Sequence, residues 1–192
     1  MTLILASTSP YRRRLLERLR LPFECEPPGV EESPVAGESP RQLAARLARA
    51  KAAAVAGHRP EATIIGSDQV ASIDGALLGK PGHFDAAFSQ LRRCSGRCVE
   101  FTTGLCLLGP GDLALDTIVS TRVYFRELGE DRLKRYLELD QPYDCAGSFK
   151  WESLGICLFE RLDSEDPTAL EGLPLIALSG MLLQAGLDPL GS

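Results

Sequence analysis

Along this chain, apolar runs too short for helices alternate with stripes at helical spacing, and the breaks between them carry turn and capping residues. Leu3-Ile4-Leu5-Ala6 is the first such run and fits a buried strand. It gives way to Ser7-Thr8-Ser9-Pro10, where Ser9 suits an N-cap and Pro10 the first helical position. Leu15, Leu16 and Leu19 then supply a helical stripe, leaving Arg12, Arg13, Glu17 and Arg20 for other faces. A strand at 23–26 leads into a proline-rich loop over 27–34 that holds Glu31 and Glu32 in the open. Ser39-Pro40-Arg41-Gln42 reads as a capping box, and Leu43, Leu47, Ala50 and Ala54 continue an amphipathic helix to Gly57. Lys51 rides on that helix, where a lysine is ordinarily solvated.

Farther on, the pattern predicts a long strand over 62–73 and a hairpin turn at Asp74-Gly75. A second turn follows at Gly79-Lys80-Pro81-Gly82, then a helix over 84–94. Strands over 99–108 and 113–125 flank the Gly109-Pro110-Gly111-Asp112 turn as an antiparallel hairpin. A helix at 130–139, an irregular stretch over 141–155, a strand at 156–162 and a closing helix over 172–185 complete the chain. The order of elements predicts a mixed α/β fold with a mixed sheet. At 192 residues the chain suits one domain, 1–192, or two small lobes sharing a sheet.

Composition narrows the function classes. A net charge of -5 argues against a protein that grips nucleic acid through its overall field. Against that acidic background the cluster Arg12, Arg13, Arg14, Arg18 and Arg20 stands out. Six cysteines lack the paired spacings of zinc or redox motifs and read as reduced, mostly buried thiols. The opening run is too short for a signal peptide, and no stretch approaches the roughly 20 apolar residues of a membrane helix. The expected compartment is the cytoplasm, with neither nucleic acid nor membrane as a partner. His58 and His83 read as loop or helix-end residues, so acid–base work falls to carboxylates, lysines or metal-bound water.

Arg12 and Arg13 fall in the first turn of a helix, where the macrodipole disfavours cations by roughly 0.3–1 kcal/mol each. An anion there reverses the sign. A polyphosphate held by Ser7, Ser9, backbone N–H groups and these arginines explains the placement, as does a solvated basic helix face. Asp68 interrupts an apolar strand between Thr63-Ile64-Ile65 and Val70-Ala71-Ser72-Ile73. That is either an edge residue facing water or a functional carboxylate that binds metal or orients water. Glu31 and Glu32 are solvent-exposed loop acids or join Asp68 around a divalent cation. Lys80 is equally a turn residue or a phosphate contact. Neither a Walker-type loop nor a G-x-G-x-x-G segment occurs.

The run from Leu3 to Pro10 with Arg12 and Arg13 resembles the opening signature of the Maf nucleotide pyrophosphatases. Glu32, Lys51, Ile65-Gly66-Ser67-Asp68, Gly79-Lys80-Pro81, Ser95-Gly96, Thr103-Gly104 and Cys145-Ala146-Gly147-Ser148-Phe149 follow in that family's order and spacing. The resemblance implies a fold similar to the inosine triphosphate pyrophosphatases, with two lobes around a cleft, commonly a homodimer, acting with Mg or Mn. It makes Asp68 the catalytic proton acceptor, and Glu32 matches another site position; Glu32 and Asp68 are the expected metal ligands. Arg12, Arg13, Lys51 and Lys80 match phosphate-facing positions, and Ser7, at another matching site position, is expected on the phosphate with them. At the specificity positions, Tyr11, Gln69 and Glu152 resemble the branch that acts on 7-methyl-GTP rather than the thymidine and uridine triphosphate branch.

Chemistry runs the same way at Glu152, because guanine offers two adjacent donors and a carboxylate accepts both. Methylation at N7 makes the purine cationic, which favours Glu152 and a cation–π contact from Tyr11 of roughly 0.5–2 kcal/mol. The expected function is hydrolysis of 7-methyl-GTP to 7-methyl-GMP and pyrophosphate, a house-cleaning activity. Two alternatives stand beside it: a pyrophosphatase for dTTP, UTP or other noncanonical triphosphates, and a nucleotide-binding regulator of cell division.

Overall fold

The computed structural model describes residues 2–191 and shows a mixed α/β protein. Seven strands form one sheet: β1 (Thr2–Leu5), β2 (Glu24–Cys25), β3 (Ala62–Ile73), β4 (Ala76–Leu78), β5 (Cys98–Leu108), β6 (Ala114–Phe125) and β7 (Phe159–Ser164). Their order is β2-β1-β3-β5-β6-β7, with β4 paired to β3. Five helices accompany them: α1 (Pro10–Glu17), α2 (Pro40–Ala56), α3 (Phe84–Cys94), α4 (Glu130–Asp140) and α5 (Leu175–Gln184). The chain divides into two compact units.

The first unit takes the described residues of Met1–Gln69, Thr102–Val119 and Asp166–Ser192. Here β1 lies parallel to both β2 and β3, with Leu5 opposite Ile65. A parallel sheet buries both faces, so its strands read as continuous apolar runs and alternate residues feed opposite layers. Leu3, Leu5, Ile65, Leu105 and Leu107 pack with Leu15 and Leu16 of α1 and with Leu175, Leu178 and Leu182 of α5. Ile4, Ala6, Ile64 and Cys106 pack on the other side with Ala48, Ala52 and Val55 of α2.

Two glycines let α2 lie directly on the strands. A Cβ on Gly66 would come within 2.2 Å of the Ala48 carbonyl oxygen, and one on Gly104 within 2.3 Å of that of Ala44. The buried side of α2 is Leu43, Ala44, Leu47, Ala48, Lys51, Ala52 and Val55. That corrects the expected stripe, since Ala54 is exposed and Ala50 only half-buried. It also corrects Lys51, which is 4% exposed rather than solvated. Small residues mark this face because helix backbone meets sheet backbone there, and size was a better guide than hydrophobicity.

The second unit comprises Val70–Phe101 and Ser120–Glu165. Asp74 and Gly75, both at positive φ, make the β3–β4 hairpin turn. Phe101, Phe125, Phe149 and Phe159 form an edge-to-face aromatic cluster, with centroid separations from 4.8 to 5.6 Å. Gly147 sits at φ 78, and a Cβ there would approach Phe101 to 3.0 Å. The Cys145–Phe149 motif therefore builds this core, as Ser148 also bonds Gln90 at 2.6 Å. Ser95 serves similarly, accepting from the Leu128 N–H at 2.8 Å and donating to its carbonyl.

Elsewhere the chain departs from its pattern in a few places. Residues 154–158 form a 3-10 turn, so β7 begins at Phe159 rather than at 156. α5 begins at Leu175 rather than 172, after a separate 3-10 turn, Pro167–Glu171. Asp166, buried ahead of that turn, accepts from the Ile176 N–H at 2.7 Å and the Ala177 N–H at 3.2 Å. It neutralises donors at the start of α5 from ten residues upstream, beyond the reach of a local capping motif.

Of the cysteines, Cys94 and Cys106 are buried, Cys98 and Cys145 half-buried, and Cys25 and Cys157 exposed, all as free thiols. The expectation of mostly buried thiols is corrected accordingly. His83 is the N-cap of α3, accepting from Ala86 N–H, and His58 follows the end of α2 beside Glu26.

Candidate active site

The site in the first unit follows from the twofold period of β3. Gly66 and Asp68 share one face with Ile64, and that face meets α2. Lys51, one helical turn beyond Leu47, therefore arrives over Asp68, with its Nζ 2.6 Å from Asp68 Oδ1. The same Nζ lies 2.6 Å from Glu32 Oε1. Asp68 and Lys51 have side chains 10% and 5% exposed, whereas Glu32 is 58% exposed and closes the trio from the loop. The strand carboxylate is thus no edge residue facing water.

Ser67 and Gln69 project to the opposite face, toward Ile65's layer. Ser67 donates to the carbonyls of Gly104 at 2.8 Å and Gly172 at 2.9 Å. The Gln69 amide donates to the carbonyls of Ala169 at 2.7 Å and Leu170 at 3.0 Å. Thr103 donates to Ala169 as well, at 2.9 Å. These side chains fix the turn at 169–172, whose Gly172 carbonyl also accepts from Arg12 Nε at 2.8 Å. Sequence reading missed this turn and its partners. The alternation on either side of Asp68 was the available signal.

Arg12 stands in the first turn of α1, capped by Ser9, whose hydroxyl accepts the Arg12 N–H. Ser7 accepts the Ser9 N–H at 3.1 Å and lies 3.5 Å from Arg12 Nη1. Burial pushes the Arg12 guanidinium below its ordinary pKa, opposed by the negative charges of Asp68 and then Glu32. The guanidinium stays cationic in either case. Ser7, Arg12, Lys51, Glu32 and Asp68 thus belong to one electrostatic group. It sits past the carboxyl end of β1, where α1 and α2 pass to opposite faces of the sheet, the customary ligand position in open α/β sheets.

Other expected site residues are placed differently. Arg13 is exposed and pairs with Glu17 at 3.1 Å along the outside of α1. Tyr11 is half-buried beside Arg14, whose guanidinium lies 5.1 Å from the ring centroid. Gln69 is held by the 169–170 carbonyls. Lys80 and Glu152 belong to the second unit and are exposed there. Glu31 turns onto its own loop, accepting from the Ser33 hydroxyl at 2.6 Å, rather than joining Glu32.

Among the described residues, no group of three or more His, Cys, Asp or Glu side chains gathers as a metal site. The two carboxylates that converge on Lys51 nonetheless aim anionic oxygen at one cationic point. A magnesium-like ion keeps waters and phosphate oxygens around one or two protein carboxylates, so Glu32 and Asp68 fit that donor set.

The chain matches the family model described as Maf-like protein over residues 2–185. It is 55% identical to the 7-methyl-GTP pyrophosphatase of Bordetella avium, over 99% of this chain and 96% of that protein. It is 52% identical to the 7-methyl-GTP pyrophosphatase of Pseudomonas aeruginosa, over 97% of each. Among solved structures, the Staphylococcus aureus Ham1 protein overlaps 81% of this chain and 90% of its own at 14% identity and TM-score 0.47, too distant to bear on the site. On the strength of the model match and relatives sharing half their residues across nearly their whole length, this chain belongs to the Maf-like protein family.

Proposed function

We propose that this protein hydrolyses 7-methyl-GTP to 7-methyl-GMP and pyrophosphate. The observation that carries the reaction is the buried Asp68–Lys51 pair, electrostatically joined to Arg12 at the start of α1. A carboxylate beside a buried lysine and a half-buried arginine suits neither a purely structural sheet nor a passive nucleotide grip. The names of the half-identical relatives support the substrate, together with Tyr11, Gln69 and Glu152.

In this reading the polyphosphate lies at the amino end of α1, where Ser7, Arg12 and Lys51 offset its charge. Asp68 orients the attacking water and takes its proton, and Lys51 fixes that carboxylate in place. Water adds to the α-phosphorus, the α–β bridging bond breaks, and pyrophosphate leaves with its new charge already compensated. Glu32 and Asp68 would hold a divalent ion, Mg or Mn, which when bound supplies further charge neutralisation on the phosphates. A carboxylate such as Glu152 accepts the two guanine donors, and an aromatic ring such as Tyr11 favours a cationic purine.

Initial rates of pyrophosphate release on 7-methyl-GTP, GTP, UTP and dTTP, with magnesium or manganese, test the proposal. The expected order places 7-methyl-GTP first by at least tenfold in kcat/KM, the equivalent of about 1.4 kcal/mol in transition-state binding. Equal rates on all four remove Glu152 as a base reader, and tight binding without release favours a regulator.

A further inference from the structure

The loop that carries Glu32 is pinned at a point that touches neither Asp68 nor Lys51. Arg46 projects from α2 and grips Glu38 through two parallel bonds, Nε to Oε1 at 2.7 Å and Nη2 to Oε2 at 2.8 Å. Its Nη2 also donates to the Ser33 carbonyl at 3.1 Å. Glu38 in turn accepts the Val35 N–H at 3.1 Å, and its own N–H donates to the Val35 carbonyl at 3.0 Å. The Ser33 N–H and hydroxyl are taken by Glu31. One guanidinium therefore ties together both ends of the 33–38 segment, directly after Glu32. A bidentate arginine–carboxylate fork fixes orientation as well as distance, which a lysine in its place does not.

Glu32 needs such support, because its side chain is 58% exposed and an ion pair with one well-exposed member holds a loop only weakly. Proline and glycine in 27–37 give the loop no secondary structure of its own. Arg46 lies on the same helix as Lys51, so the clamp references the loop to the element that also sets the lysine.

We propose that Arg46 and Glu38 form a positioning clamp that holds Glu32 in register with Lys51 and Asp68, acting on turnover through Glu32 alone. The proposal rests on the reading that Glu32 belongs to the catalytic group. In it, Glu38→Gln and Arg46→Gln each lower kcat on 7-methyl-GTP by on the order of 10- to 100-fold, the usual consequence of a misplaced group near 1 Å, with KM little changed. Arg46→Lys keeps the charge and loses the fork, and it falls with them.

The experiment is a double-mutant cycle of Glu38→Gln against Glu32→Gln, with amide exchange over 31–38 and thermal melts on each variant. The expected result is a kcat loss in each single variant, no further loss in the double, faster exchange confined to 31–38 and only a small drop in melting temperature. If Glu32→Gln retains full turnover, the underlying reading of Glu32 fails. If Glu32→Gln is impaired but Glu38→Gln turns over normally, or the two losses multiply, the clamp fails while that reading stands. Full activity in Arg46→Lys also overturns it, since the Arg46 charge, which interacts with Asp68 through space, would then act without the fork.

Discussion

Replacing Lys51 with methionine isolates the interaction on which the site is built. The ammonium is 2.6 Å from Asp68 Oδ1, with both side chains nearly sealed from water at 5% and 10% exposure. Removing one member of a buried pair strands the other charge, at about 3–5 kcal/mol. The Glu32 partner adds little, because a pair with one member well exposed contributes about 0–1 kcal/mol. Arg12 still faces Asp68 after the change and offsets some of the loss, which places the expected cost near the lower figure, about 3 kcal/mol. For a chain of this size that is about 6–12 °C in Tm. Asp68→Asn should cost less, since Lys51 keeps Glu32, and the double variant Lys51→Met/Asp68→Asn should recover part of the loss because no bare charge remains. Urea unfolding at pH 7 measures all three. A loss under about 1 kcal/mol for Lys51→Met, or simple additivity in the double variant, would show that the pair is not coupled as the geometry requires.

Two further outcomes follow from neighbouring features. Arg46 and the Val35 N–H hold the Glu38 carboxyl down at about 2, well under the ordinary glutamate value near 4.3. A depressed folded-state pKa stabilises above the unfolded value and loses that contribution as pH falls, so the clamp should be intact at pH 5 and lost through about pH 2. Carboxyl NMR titration of Glu38 should give that midpoint in wild type and a return toward the ordinary range in Arg46→Gln; an ordinary midpoint in wild type contradicts the fork. Gly66→Ala forces a Cβ against the Ala48 carbonyl oxygen at 2.2 Å, and should destabilise by about 3 kcal/mol or more while displacing Lys51 from Asp68. A Tm within 2 °C of wild type, about 1 kcal/mol or less, would mean that α2 does not bear on β3 there.

Much of this was legible from local signals. Ser9-Pro10 and Ser39-Pro40 with Gln42 announced α1 and α2 because caps are local chemistry, and Asp74-Gly75 announced the hairpin for the same reason. Asp68 stood out because a carboxylate conflicts with an apolar strand. Lys51 did not, since nothing nearby in sequence distinguishes a buried lysine from a solvated one; its burial depends on Gly66 and Gly104 admitting α2 onto the sheet. Arg12 and Arg13 looked equivalent, yet one helical step of 100° sends the first toward Gly172 and the second out to Glu17. The 169–172 turn and the remote Asp166 cap rest on contacts across more than a hundred residues or outside local motifs, which periodicity does not encode.

The most direct test of the account is hydrolysis of 7-methyl-GTP in ¹⁸O-water, followed by ³¹P NMR, for wild type and Asp68→Asn. Attack at the α-phosphorus places the label in 7-methyl-GMP and leaves pyrophosphate unlabelled, while Asp68→Asn, still folded, gives no product above background. Label in pyrophosphate, release of orthophosphate as the first product, or near-normal turnover in Asp68→Asn would contradict it.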